Sequence, residues 1–181
     1  AAVAAAPAPR TLADTVAASG NPEGLAAWWL HRMIHTSDPA LEKLTLFWHG
    51  HFATSGTKVR ESDLMLAQNR MIRTHARGKF ENFVQAVSRD PAMLLYLDSA
   101  TNRKVRPNEN YAREVMELHT LGVGGGYGEA DVKAVARCFT GWNRSDATWR
   151  FEFRAADHDS SAKTVLGLPI RATGVDAGHE I

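Results

Sequence analysis

Asn108-Glu109-Asn110-Tyr111-Ala112-Arg113-Glu114-Val115-Met116-Glu117-Leu118-His119-Thr120-Leu121-Gly122 reads as a helix that stops at glycine, with a carboxylate inside its apolar face. At about 100° per residue, with Glu114 at zero, Leu118 lies near 40° and Leu121 near 340°. Tyr111 and Val115 extend this arc, while Glu109, Arg113 and Thr120 fall on the solvent side. A carboxylate between Leu and Tyr loses hydration on folding, a cost that a cation, a metal or good donors must offset. The spacing therefore predicts a buried polar centre at Glu114.

Working outward, the same punctuation recurs. Asn21-Pro22 opens a helix to about Thr36, and Asp38-Pro39 opens a second to about Ala53. A third runs from Ser62 to Arg77 and stops at Gly78. A fourth covers Lys79 to Ser88, and Asp90-Pro91 opens a short fifth through Leu97. The polar, basic loop from Asp98 to Pro107 precedes the Glu114 helix, and after Gly124-Gly125-Gly126 a seventh helix runs from Glu129 to Phe139.

From Ala147 the period changes. Trp149-Arg150-Phe151-Glu152-Phe153-Arg154 alternates as a half-buried strand does, with Lys163-Thr164-Val165-Leu166-Gly167 as its expected partner across Asp157-His158-Asp159. The expected architecture is mainly α, a multi-helix orthogonal bundle with a small C-terminal β-hairpin appendage. Residues 1–20 read as an Ala/Pro-rich flexible segment, 21–145 as the helical domain and 146–181 as the appendage. The missing initiator Met and the abrupt end at Ile181 read as a piece of a longer chain.

The 181 residues suffice for a real core, with 44% hydrophobic and 23% charged residues. A net charge of +1 offers no electrostatic case for nucleic acid, and no apolar run has the length of a membrane span. Cys138 is the single cysteine, which excludes an internal disulfide and a cysteine zinc cage.

Several long motifs resemble one bacterial family. They are Leu41-Glu42-Lys43-Leu44-Thr45-Leu46-Phe47-Trp48-His49-Gly50-His51-Phe52-Ala53-Thr54-Ser55, Asp90-Pro91-Ala92-Met93-Leu94-Leu95-Tyr96-Leu97-Asp98, the Asn108–Gly122 helix, Asp131-Val132 through Ala136-Arg137 to Thr140-Gly141-Trp142, and His158-Asp159 followed by Lys163–Gly167. In this order they resemble the "domain of unknown function 1800" family over roughly Leu25 to Gly167. The resemblance implies a longer, exported protein, periplasmic or extracellular, and brings no established activity. His119 departs from the family, which carries Phe there.

Within that frame the candidate catalytic residues are Glu114, Glu117 and Arg113. Glu114 and Glu117 lie about 60° apart on one helix and can converge. Either they meet a metal or substrate, or they form a buried ion pair, with Arg32 or Arg137 as partner. The candidate metal ligands are His49, His51 and His158, with a divalent metal as the candidate cofactor. His49 and His51 sit about 200° apart on a helix, which opposes joint chelation and leaves hydrogen-bonded boundary histidines as the alternative. His158, between two aspartates, is either a loop ligand or part of a turn.

Arg70, Arg73 and Arg77 read as a solvated stripe, and Gln68 and His75 as possible members of the Glu114 centre. The glycines from Gly122 to Gly126 follow a helix, not a strand, which argues against a phosphate loop. Two functions fit: an exported enzyme with a carboxylate/His/Arg centre, or a binding or assembly module in which that centre is structural. The aromatic stripes Trp28/Trp29, Trp48/Phe52 and Phe151/Phe153 predict packing against more of the chain or a protein partner.

Overall fold

A computed structural model describes residues 11–181; Ala1 to Arg10, read above as Ala/Pro-rich, lies outside the described residues. Within the flexible segment expected over 1–20, the described part is corrected, because Leu12–Ala18 is helix α1. Thr11 and Asp14 close a capping box at its start, and Ala13 and Ala17 pack on Leu66, Leu25 and Trp28.

The Asx-Pro starts act as read. Asn21, Asp38 and Asp90 accept backbone N–H bonds at the starts of α2 (Pro22–His35), α3 (Pro39–His51) and α6 (Pro91–Tyr96). Proline at the first position loses no helical bond there. Between them lie α4 (Ser62–His75) and α5 (Phe80–Ser88). A 3-10 turn at Ser99–Thr101 follows, then α7 (Asn110–Glu114) and α8 (Glu129–Cys138). No helix among the described residues is long and apolar enough to cross a membrane.

The protein is mainly helical with two small antiparallel hairpins, but their pairing differs from the expected one. Trp142–Arg144 (β1) pairs with Phe151–Phe153 (β2), and Lys163–Val165 (β3) with Leu168–Ile170 (β4). The expected Phe151–Val165 hairpin is therefore wrong, and strand structure starts before the 145/146 boundary. The local reason for the second hairpin is its two-residue turn. Leu166 and Gly167 both take positive φ, 52° and 80°, which matches the strand twist and closes β3 on β4.

The main core joins Phe52, Ile72, Phe83, Met93, Tyr111, Val115, Val135, Phe139 and Trp142. Most of the aromatic stripes are used here. Phe52 is fully buried, Trp48 packs on Phe52, Phe80 and Phe83, and Phe151 sits edge-on to Trp142. Leu30, Ile34 and Phe47 on α2 and α3 remain exposed instead.

Only the middle of the expected solvated arginine stripe is withdrawn from water: the Arg73 side chain is 11% exposed, while those of Arg70 and Arg77 are 46% and 51% exposed. Arg70 pairs with Asp14 of α1, Arg73 with Glu42 of α3, and Arg77 with the α3 cap Asp38. Gln68 joins neither Glu114 nor His75. It is buried between Thr54 and Asp90, donating to Asp90 Oδ2 at 2.7 Å. His75 stacks on Phe83.

Burial pushes the Asp90 carboxyl up to about 6, against the bonds it accepts from Met93 N–H and Gln68. A carboxyl that keeps its proton to higher pH when folded lends stability that is complete below 3.8 and lost as pH rises through about 6. Asp90→Asn should therefore flatten the fall in stability across that window, measured as urea midpoints at several pH values. An unchanged difference between wild type and variant over the window would refute this.

Candidate functional site

The Glu114 helix does not bury Glu114. Its core-facing residues are Tyr111, Ala112, Val115, Met116 and His119, an arc centred about 130° from Glu114. Leu118 and Leu121, taken above as core, are 55% and 44% exposed. The sequence holds two overlapping apolar arcs that share Tyr111 and Val115, and packing against Phe139 and Phe52 selects the one with His119.

Val115–Thr120 is also a π-helical turn, with Leu121 N–H bonded to Met116 O, so the regular wheel loses phase there. Glu114 is half-buried and meets no cation among the described residues. Its pKa is raised by desolvation and by the Glu117 charge. Arg113 points to the surface, paired with Glu109 and Glu129. The expected partners are also spent elsewhere: Arg137 holds Asp159, and Arg32 holds Glu42.

The histidines separate as the helix geometry requires. His49 sits edge-on to Trp29 at 5.1 Å, while His51 Nε2 lies 3.0 Å from His119 O and bonds to it. Desolvation, then the nearby His51, lowers the His119 pKa to about 4, so that ring is neutral at ordinary pH. His158 is buried rather than offered at a hairpin tip, with Nδ1 donating to Thr140 O at 2.8 Å. No three His, Cys, Asp or Glu side chains among the described residues are grouped to hold a metal ion.

The buried carboxylate that the sequence promised is Glu42, 2% exposed. Its two oxygens accept Arg73 Nε at 2.7 Å and Nη2 at 3.0 Å, Arg32 Nε at 2.7 Å and Trp29 Nε1 at 3.1 Å. Desolvation pushes its pKa up, but the Arg73, Arg32 and Trp29 bonds outweigh that and hold it at about 2. Each oxygen carries two donors, which leaves the carboxylate occupied with holding α2, α3 and α4 together.

Beside this centre lies a cavity of about 710 Å³ between α2, the end of α3, the Ser55–Arg60 segment and α4. Trp28 and Trp29 form its flat apolar side. Trp29 is held in place from behind by Glu42. From α4, Ser62, Met65 and Asn69 face it at i, i+3 and i+7, two turns of one helix face.

Ser62 and Asn69 are 4% and 6% exposed, yet Ser62 Oγ and both carboxamide atoms of Asn69 have no hydrogen-bond partner among the described residues. His49 Nδ1, also on the wall, is likewise unpartnered, and desolvation lowers that ring's pKa. Among the described residues these are four of the ten unpartnered buried side-chain atoms, all on residues of this wall. These atoms have under 1 Å² of accessible surface each, so they lie beneath the pocket wall and the wall offers a ligand mainly its apolar side chains. A depression of similar size at Ala100–Glu109, about 670 Å³, has exposed side chains such as Arg103, Val105 and Arg106 and no such buried groups.

Sequence reasoning missed Glu42, Ser62, Asn69 and Arg73. One signal was present. Glu42, Thr45, His49 and Phe52 share one face of α3 by spacing, but the neighbouring stripe of Leu41, Leu44 and Trp48 outweighed it; Leu44 proves 36% exposed.

No curated protein and no solved structure matches the chain. The family described as "Protein of unknown function (DUF1800)" matches residues 5–181, nearly the whole length, so the chain belongs to the DUF1800 family.

Proposed function

We propose that this domain binds a small organic molecule in the cavity between α2, α3 and α4. The observation that carries this reading is the cavity itself, about 710 Å³, walled by Trp28, Trp29, Leu25 and Met65 with Ser62, Asn69 and His49 among its polar neighbours. Its volume lies in the range of small-molecule sites, mostly apolar with a few polar groups. The Arg32–Glu42–Arg73 centre then acts as scaffold, because its oxygens have no acceptor capacity left for a substrate. An exported enzyme working through Glu114 and Glu117 finds less support. No group of three His, Cys, Asp or Glu side chains forms around the pair among the described residues, and the Glu114 pKa is raised by desolvation and Glu117 rather than lowered by a cation.

The uncharged fluorophore N-phenyl-1-naphthylamine tests the reading. Its emission should rise saturably on adding the protein, and Ala26→Trp, which puts a large ring on the exposed α2 side of the cavity, should abolish the rise. Ala26 is exposed, so the substitution leaves the core untouched. No rise, or an equal rise in the variant, rejects the cavity as a binding site.

A further inference from the structure

We infer that His31 and His35, at the carboxyl end of α2, form a two-histidine chelate for nickel(II) or copper(II). Neither residue lines the cavity proposed above as a binding site.

The segment His31-Arg32-Met33-Ile34-His35 places two imidazoles four residues apart within one helix. Residues so spaced share a face, with Cβ atoms about 5–6 Å apart, the arrangement by which a helix offers two histidines to one metal. The rings do meet: their centres lie 4.3 Å apart, with planes inclined by 43°. Both residues are exposed, so an ion reaches them without opening the core.

The ring separation selects the ion. A metal–imidazole bond of about 2.0–2.1 Å sets the ion roughly 3.2 Å from each ring centre. Two rings bound at a right angle then have centres about 4.5 Å apart, and at the tetrahedral angle about 5.2 Å. The 4.3 Å seen here fits the right angle, which octahedral and square-planar ions offer and tetrahedral zinc does not. Nickel(II) and copper(II) combine that geometry with a preference for imidazole nitrogen, whereas magnesium takes oxygen.

The surroundings also favour a cation. His35 is the last residue of α2, where unpaired carbonyls give the helix its negative end. Arg32, between the two on the chain, turns to Glu42 instead. The other neighbouring pair, His51 and His119, has ring centres 6.2 Å apart, and His119 is buried with its carbonyl on His51 Nε2. Among the described residues no third His, Cys, Asp or Glu completes a group at His31 and His35. Water therefore fills the remaining positions, and the ion stays exchangeable, unlike one in a closed four-ligand structural site.

Calorimetric titration of nickel chloride into the untagged protein, in slightly alkaline buffer, tests the site. One ion should bind per chain, and magnesium chloride should give no heat of binding. His31→Asn and His35→Asn change exposed positions, and each alone should weaken binding about a hundredfold, because the second bond of a chelate forms within the molecule. The double variant should bind no more weakly than either single one. Nickel at a concentration that saturates wild type should raise its urea midpoint and leave those of the single variants unmoved, since only the folded helix holds the two rings together.

Single variants that lose half the sites and keep the affinity would mean independent imidazoles and no chelate. Nickel binding that survives the double variant belongs to other residues and overturns the assignment, as does no binding at all. Zinc, titrated in the same way, should bind more weakly than nickel; tighter zinc binding would reject the right-angle geometry and with it the proposed ion.

Discussion

Replacing Glu42 with alanine is expected to remove on the order of 3–5 kcal/mol of folding stability, because it strands a buried arginine. Arg73 is 11% exposed at its side chain and has two of its nitrogens on the Glu42 oxygens. Once the carboxylate is gone, that cation keeps its desolvation cost and retains only a long bond to Asn69 O at 3.4 Å. Arg32, 43% exposed, can turn to water and contributes less to the loss. The same substitution frees Trp29 from behind, so binding of N-phenyl-1-naphthylamine should weaken as well.

Glu114→Gln provides the contrast. That carboxylate has no cation to lose, and its raised pKa means that neutralising it relieves desolvation and repulsion by Glu117. The variant should be as stable as wild type or slightly more so at neutral pH. Urea denaturation of both variants decides the matter, and a larger loss in Glu114→Gln than in Glu42→Ala would overturn the assignment of the centre.

The acid side follows from the same geometry. A carboxyl depressed in the folded state from 4.5 to about 2 gives stability that is complete above 4.5 and lost as pH falls through about 2. Glu42→Ala should therefore narrow its stability gap to wild type across that window. A gap independent of pH would show that the pair is not what holds the three helices.

Gly141→Ala is expected to cost about 2–4 kcal/mol, the sum of a left-handed backbone penalty and an overpacked contact. Gly141 takes φ +80°, and a Cβ there would lie 2.6 Å from Arg154 O, a backbone atom with little freedom to retreat. The position is a junction: Gly141 N–H donates to Asn102 O at 3.0 Å, and Gly141 O accepts Arg154 N–H at 2.8 Å. Asn102, itself buried, donates to Ala136 O and accepts from Asn108 N–H, so the loop before α7 and the start of β1 share this point. Gly124→Ala is the control, since φ there is +73° but nothing lies within 4 Å of the added carbon. Its cost should be the backbone part alone, about 1 kcal/mol. Equal urea midpoints for the two variants would remove the close approach to Arg154 from the account.

These two sites mark the border between sequence and tertiary structure. Helix starts were legible because their causes are local. Asn21, Asp38 and Asp90 each reach a free N–H within three residues, and the following proline, with φ fixed near the helical value and no N–H to leave unpaired, suits the first helical position. The family motifs were legible for the same reason, as runs of adjacent residues. Strand pairing was not, because alternation in Phe151–Phe153 says that a strand exists but not which strand it meets. Trp142 and the positive-φ turn at Leu166-Gly167 decided that.

The buried carboxylate was foreseen as a kind of group and misplaced as a residue. On a wheel, Glu114 between leucines and Glu42 beside Thr45 are equivalent guesses, since each helix has more apolar surface than one neighbour covers. What separates them is the set of cations brought within reach: Arg73 from α4 and Arg32 from α2 converge on Glu42. Apart from α1, which the Ala/Pro-rich start concealed, the sequence by itself determined which segments are helical and where the Asx-Pro caps lie, through contacts a few residues long. Only the tertiary structure decided which face of each helix is inside, because desolvation is set by whatever packs opposite.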